Sequence, residues 1–109
     1  MSATSQQDDI HILWQAHWQA ALPDVPHGLR GELFVLDDIL GGCVAFYLNG
    51  GTLDQSRRAI LEDYQADLRR LVPDLDPAAA AYFIRLERLA ELLLVASSHA
   101  DESVGEPER

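Results

Sequence analysis

The chain has 109 residues, which is the length of a single domain. Its 18 carboxylates and 8 basic side chains give a formal net charge of −10, and 48% of its residues are hydrophobic. This hydrophobic content is ordinary for a globular protein and too high for a disordered one. The negative charge argues against binding to nucleic acid or to an anionic membrane, because both attract positive charge.

Two residue types that are scarce or absent exclude several kinds of chemistry. All eight basic side chains are arginines, and the chain has no lysine. Schiff-base chemistry, pyridoxal phosphate attachment and a P-loop all need a lysine. The single cysteine, Cys43, can form neither an internal disulfide nor a multi-cysteine metal site. One unpaired thiol, without a signal-peptide or membrane-span pattern, predicts a cytoplasmic location.

The hydrophobic pattern predicts that the first helix runs from about Gln7 to Leu22. Ser5 or Asp8 can cap its start, and Pro23 forbids its continuation. Its apolar or amphipathic residues recur every three or four positions, as one helix face requires. They are Ile10, Leu13, Trp14, His17, Trp18 and Ala21.

The second predicted helix runs from Arg30 to Asn49 and carries two opposed stripes. One is apolar and consists of Leu33, Leu36, Leu40, Cys43 and Tyr47. The other is mostly small or polar and consists of Gly31, Phe34, Asp38, Gly41, Gly42, Ala45 and Asn49. Few of its positions suit exposure to water, so we expect it to be the central helix.

Two adjacent glycines, Gly41 and Gly42, break the usual rules of helix composition. Together they cost on the order of 2 kcal/mol relative to alanine in a helix interior. We expect close packing over this patch to offset the cost, although a kink between two shorter helices is the alternative.

The third helix is predicted to open with a capping box at Thr52 and Gln55 and to stop at Pro73. Its apolar stripe consists of Leu53, Ile60, Leu61, Tyr64, Leu68, Leu71 and Val72. Arginine pairs at 57–58 and 69–70 lie off this stripe among acidic residues, which predicts surface salt bridges.

The fourth helix is predicted to begin with Asp76 as its cap and Pro77 at its first position. Its main stripe consists of Ala79, Tyr82, Phe83, Leu86, Leu89, Ala90 and Leu93. The run from Leu92 to Ala96 is apolar all round and needs cover from two sides. Short connections favour antiparallel neighbours. We therefore predict a compact all-α four-helix bundle over residues 1–99, mostly antiparallel, followed by a disordered acidic tail over residues 100–109.

We expect neither a metal nor another cofactor. Glu-x-x-His pairs, which di-iron bundles use, are absent from the sequence. Asp63 and Asp67 lie one turn apart on the predicted third helix. Two such carboxylates on an acidic protein usually belong to a solvated face and do not form a metal site. Cys43 lies on the apolar stripe of the second helix, where a thiol is inert.

The candidate partner-binding residues combine aromatic rings with nearby carboxylates. They are Trp14, His17, Trp18, Asp37 and Asp38. Trp14 and Trp18 are one turn apart and suit either the core, which is the default, or an interface. His17 lies between them, and we expect it at the core boundary with a ring nitrogen bonded to a carbonyl or carboxylate.

These features predict a non-enzymatic, acidic helical module that binds a basic protein partner, as an inhibitor or immunity-type protein does. The alternative is a small ligand-binding or enzymatic bundle with a pocket near Trp14, Trp18 and Tyr47. A homodimer is also expected. The second and fourth predicted helices both carry more apolar or small-residue surface than one four-helix core can easily bury, and a two-fold interface would cover the remainder. The candidate seam consists of Gly41, Gly42, Ala45, Leu94 and Val95.

Overall fold

The structure is a computed structural model that describes the backbone of residues 2–105 and the side chains of residues 7–97. Its four α-helices are α1 (Ser2–Gln19), α2 (Arg30–Leu48), α3 (Gln55–Leu71) and α4 (Pro77–Gly105). Two short 3₁₀ turns, His27–Leu29 and Val72–Asp74, precede α2 and follow α3. Residues 2–105 contain no strand, which confirms the predicted all-α four-helix bundle.

The central helix of the bundle is α4. It packs against α1, α2 and α3, and α2 also packs against α3. Every residue of its predicted main stripe is buried, and Leu92 and Leu94 beside the stripe are partly buried against the core. The sequence predicted α2 in this position, and that prediction is wrong. The reason is that α4 carries apolar side chains on several sides, whereas α2 leaves Val35 more than half exposed.

Helix α2 continues without a break through Gly41 and Gly42. A Cβ added at Gly41 would lie 3.4 Å from Cη2 of Trp14, whereas one added at Gly42 would meet no atom of the described residues within 4 Å. The neighbour that approaches this patch within the chain is therefore the indole of α1. Beyond the end of α2, Gly50 has a φ of +94°, the left-handed conformation that glycine commonly adopts after a helix.

The helix starts differ from prediction at α1 and α3. Asp54, and not Thr52, caps α3, because its Oδ1 accepts from the Arg57 amide at 2.9 Å. The predicted cap of α4 is confirmed, since Oδ1 of Asp76 accepts from the Ala79 amide at 2.9 Å.

Helix α1 begins at Ser2, so Ser5 and Asp8 lie inside it. It ends at Gln19, three residues before the predicted end. Pro23 restricts the backbone of Leu22 alone, so it does not by itself account for the earlier end.

The predicted tail, residues 100–109, overlaps the end of α4. The backbone of α4 is described as far as Gly105, and residues 106–109 lie outside the described residues. The side chains of residues 98–109 also lie outside them. The tail therefore stays a prediction.

Candidate binding cleft

A buried histidine joins α1 to α2. His17 is 4% exposed, and its Nε2 lies 2.9 Å from Oδ1 of Asp37. This contact confirms the prediction of a boundary histidine bonded to a carboxylate. It also fixes the last turn of α1 against the middle of α2.

Two residues of α4 complete a buried network with this pair. The Tyr82 hydroxyl donates to Oδ2 of Asp37 at 2.9 Å, and Arg85 Nε donates to Nδ1 of His17 at 3.3 Å. Because Nδ1 accepts a hydrogen bond, the ring proton belongs on Nε2, from which His17 donates to Asp37. The buried network of Arg85, His17, Asp37 and Tyr82 thus connects three helices.

The phenol of Tyr82 keeps its proton in this setting. Burial, followed by the hydrogen bond to Asp37 and the charge of that carboxylate, raises the pKa of Tyr82 well above its usual range. The positive charge of Arg85 lowers this pKa, but its effect is the smallest of the four. Tyr82 therefore remains a hydrogen-bond donor and holds the Asp37 carboxylate in place.

The two tryptophans occupy different environments. Trp14 is half-buried, packs against the core and lies over Gly41. Trp18 is 75% exposed, and its ring is 5.9 Å from that of Trp14. The core position predicted by default is therefore wrong for Trp18. It lies on the last turn of α1, which ends one residue later, and it presents its indole to solvent.

An open cleft of about 360 Å³ lies beside the buried network. The five candidate partner-binding residues all line it: Trp14, His17, Trp18, Asp37 and Asp38. Its other lining residues are Ala20, Leu22, Gly41, Gly42 and Tyr82. The predicted pocket included Tyr47, but Tyr47 does not line the cleft, and the tyrosine that lines it is Tyr82. The cleft therefore brings together residues from α1, α2 and α4.

The tryptophan pair also borders a second hollow of about 290 Å³, which is lined by Trp14, Gln15 and Trp18. Both indoles line both hollows, so the two hollows adjoin at the tryptophan pair. The indole pair can therefore contact groups on two sides.

The cleft has a negative charge at its edge. Asp38 is exposed, and no hydrogen bond or ion pair joins it to another residue of the described part. Asp37, by contrast, accepts from both His17 and Tyr82. Arg85, bonded to the ring nitrogen of His17 that faces away from Asp37, offsets part of the negative charge of the two aspartates. Arg85 does not line the cleft. The Asp38 carboxylate is therefore available to a ligand.

The five residues of the candidate dimer seam lie on α2 and α4. Gly41 and Gly42 line the cleft, and Ala45 lies one turn after Gly41 and is half-buried. Leu94 and Val95 are half-buried, and Leu94 packs against the core of its own chain.

Two side chains that could act as nucleophiles, Cys43 and Ser97, are buried. Cys43 is buried as predicted, and burial raises the pKa of its thiol although the charge of Arg57 lowers it. The Ser97 hydroxyl is buried and donates to the carbonyl of Leu94 at 3.2 Å. Neither group is placed to attack a substrate in the cleft.

Among the described residues, no group of three or more histidine, cysteine, aspartate or glutamate side chains could hold a metal ion. No helix in this part of the chain is long and apolar enough to cross a membrane.

Sequence reasoning missed two members of the site, Tyr82 and Arg85. Tyr82 was placed correctly on the buried stripe of α4, but its hydroxyl bonds to a carboxylate 45 residues earlier in the chain. Arg85 lies 68 residues from His17. Neither residue carries a local signal that could predict such a partner.

No known protein family matches the chain, and no curated protein or solved structure is significantly similar to it. The fold and the cleft therefore define its class by themselves. It is an all-α helical bundle with an open aromatic cleft that has a free carboxylate at its edge.

Proposed function

We propose that this protein is a non-enzymatic binding module that holds a basic protein partner in the cleft. One observation carries the proposal. The exposed indole of Trp18 and the unpartnered carboxylate of Asp38 line the same cleft. Tryptophan is among the residue types enriched at interaction hot spots, and a free carboxylate in the same cleft selects a positively charged group.

The state of His17 supports a binding role over a catalytic one. A general base needs a ring nitrogen within reach of the proton that it removes. In His17, Nδ1 accepts from Arg85 and Nε2 donates to Asp37, and the ring is 4% exposed. The imidazole is engaged at both nitrogens, so its role is to position Asp37 and α1.

The charge of the whole chain favours the same kind of partner. A net charge of −10 attracts a basic protein over a longer range than any single contact. Such steering raises the association rate, while aromatic contacts in the cleft slow dissociation. An inhibitor or immunity-type protein that neutralises a basic partner uses both effects. We place this role in the cytoplasm, because the one cysteine is unpaired and buried.

The test is capture of a partner from a lysate of the source organism with tagged protein, at low and high salt. The site variant carries Trp18→Ser and Asp38→Asn. The matched control carries Ile84→Ser and Asp63→Asn, which change an exposed apolar residue and an exposed carboxylate outside the cleft. We expect the wild type and the control to retain the same basic protein, and high salt or the site variant to release it.

Reconstitution with that protein in purified form completes the test. A captured protein that the site variant retains as well as the control would contradict the proposal, and so would a partner with an acidic surface.

A second candidate is a small molecule bound in the same cleft. Its volume, about 360 Å³, falls within the range of small-molecule sites. Native mass spectrometry of protein purified from the source organism separates the two proposals. A bound small molecule that the Trp18→Ser, Asp38→Asn variant loses would favour this candidate.

A further inference from the structure

We infer that the cleft takes the guanidinium of an arginine side chain from the partner, stacked on the Trp18 indole and bonded to the Asp38 carboxylate. This inference rests on the proposed function, since it specifies which group of a basic partner is recognised.

The aromatic wall favours a flat cation. Trp18 is 75% exposed, and the neighbouring ring of Trp14, 5.9 Å away, supports it. A cation over an open indole face is attracted by the negative charge of the ring face. A guanidinium is planar and weakly hydrated, so it stacks on an indole at a lower desolvation cost than an ammonium.

The two carboxylates of the cleft have different roles. Asp37 is held by His17 and Tyr82, each at 2.9 Å, so its charge is fixed in position. Asp38, the next residue of α2, is exposed and unpartnered among the described residues. A guanidinium has five N–H donors in a fixed plane, so it can bond to Asp38 while it lies flat on Trp18. The three donors of an ammonium radiate from one atom, so an ammonium is less suited to bond to Asp38 and stack on Trp18 at the same time.

The cleft leaves room for such a side chain beside Gly42. This exposed glycine lines the cleft, and a Cβ built there would meet no atom of the described residues within 4 Å. A large side chain at this position would therefore project into free space that the ligand needs. The natural glycine costs helix stability and keeps that space open.

The experiment is a titration of the full chain with three blocked pentapeptides that differ only at the central residue. The sequence is acetyl-Ala-Leu-X-Leu-Ala-amide, where X is arginine, lysine or citrulline, the uncharged analogue of arginine. Intrinsic tryptophan fluorescence is the readout, because the chain has two tryptophans and both line the cleft. We expect the arginine peptide to bind about tenfold more tightly than the lysine peptide, and the citrulline peptide to give no saturable change.

Three variants test the position of the guanidinium. Asp38→Asn and Trp18→Leu should each weaken binding of the arginine peptide about tenfold, and Gly42→Leu should block it. Asp63→Asn, which removes an exposed carboxylate on α3, is the control and should bind as the wild type does. Circular dichroism confirms that each variant remains folded.

The outcomes separate this inference from the proposed function. If the arginine and lysine peptides bind equally well and Asp38→Asn loses both, the inferred preference for a guanidinium is overturned. The cleft would then select positive charge alone, which the proposed function requires. Arginine binding that survives Asp38→Asn and Trp18→Leu would place the ligand elsewhere and overturn the inference. The inference also fails if no peptide binds, and the capture experiment then decides the proposed function.

Discussion

The imidazole of His17 and the carboxylate of Asp37 meet at 2.9 Å and join the last turn of α1 to the middle of α2. The two residues are 20 positions apart in the chain, and their contact is shielded from water on the side of His17, which is 4% exposed. The position of the cleft depends on this contact, because α1 provides the tryptophans and α2 provides the carboxylates.

Replacing His17 with alanine should destabilise the protein by about 2 kcal/mol. The substitution leaves Arg85 without its acceptor and Asp37 with one donor instead of two. Urea unfolding at neutral pH measures the change. His11→Ala, on the exposed side of the same helix, is the control and should change the free energy of unfolding by less than about 0.5 kcal/mol. Equal effects of the two substitutions would show that the buried network does not hold α1.

Removing the hydroxyl of Tyr82 should change how stability depends on pH. The folded-state pKa of Tyr82 lies above its unfolded value, so its contribution is complete below the unfolded pKa of about 10 and is lost as the pH rises further. We expect the free energy of unfolding of the wild type to fall more steeply above about pH 10 than that of Tyr82→Phe. Tyr64→Phe, at a half-buried tyrosine of α3, is the control and should follow the wild type. Parallel curves for wild type and Tyr82→Phe would contradict this prediction.

Alanine at Gly42 should stabilise the protein by about 1 kcal/mol, because alanine favours the helix interior and its methyl group meets none of the described residues. Alanine at Gly50 should destabilise it by about 1 kcal/mol or more, because this residue has a φ of +94°. Thermal and urea unfolding of the two variants measure both effects. A destabilised Gly42→Ala variant would indicate that something else fills the space beside that residue.

Cys43 should react with a thiol reagent only when the protein unfolds. It is 9% exposed, and burial raises the pKa of its thiol, so little thiolate is present in the folded protein. Labelling rates followed by mass spectrometry at increasing urea concentrations should rise with the unfolded fraction. The fully denatured protein gives the reference rate, and rapid labelling without urea would contradict the prediction.

A homodimer should give a mass of about twice 12.1 kDa by light scattering at micromolar protein concentration. If the seam includes α4, Leu94→Glu should return the mass to that of one chain, whereas Asp63→Asn should not. A wild-type mass near 12.1 kDa would end the dimer prediction.

Most of the fold could be predicted from the sequence, because the helices depend on local signals. The buried stripe of α4 follows from apolar spacing, and its start follows from Asp76 and Pro77. The cap of α3 was misplaced because Thr52 and Asp54 both match capping patterns. Only the structure shows which side chain reaches a free amide.

The site could be predicted only in part. The candidates Trp14, His17 and Trp18 share one helix, and the sequence placed them close together. Their relation to Asp37 and Tyr82 depends on how three helices cross, which no spacing within one segment encodes. The sequence also could not predict which indole faces solvent, since both fit the same periodic pattern.

The central position of α4 has a consequence for how the protein is made. The surface against which α1 packs is provided mainly by α4, which begins at Pro77 and is synthesised after the other three helices. Until α4 has left the ribosome, α1 has little to dock on, and Ile10 and Leu13 stay in contact with water. The cleft therefore forms only after synthesis of α4, by contacts that span most of the chain, and such long-range contacts slow folding compared with neighbouring helix pairs. A nascent chain that has not reached Pro77 therefore exposes apolar surface, and such surface favours aggregation until the last helix is made.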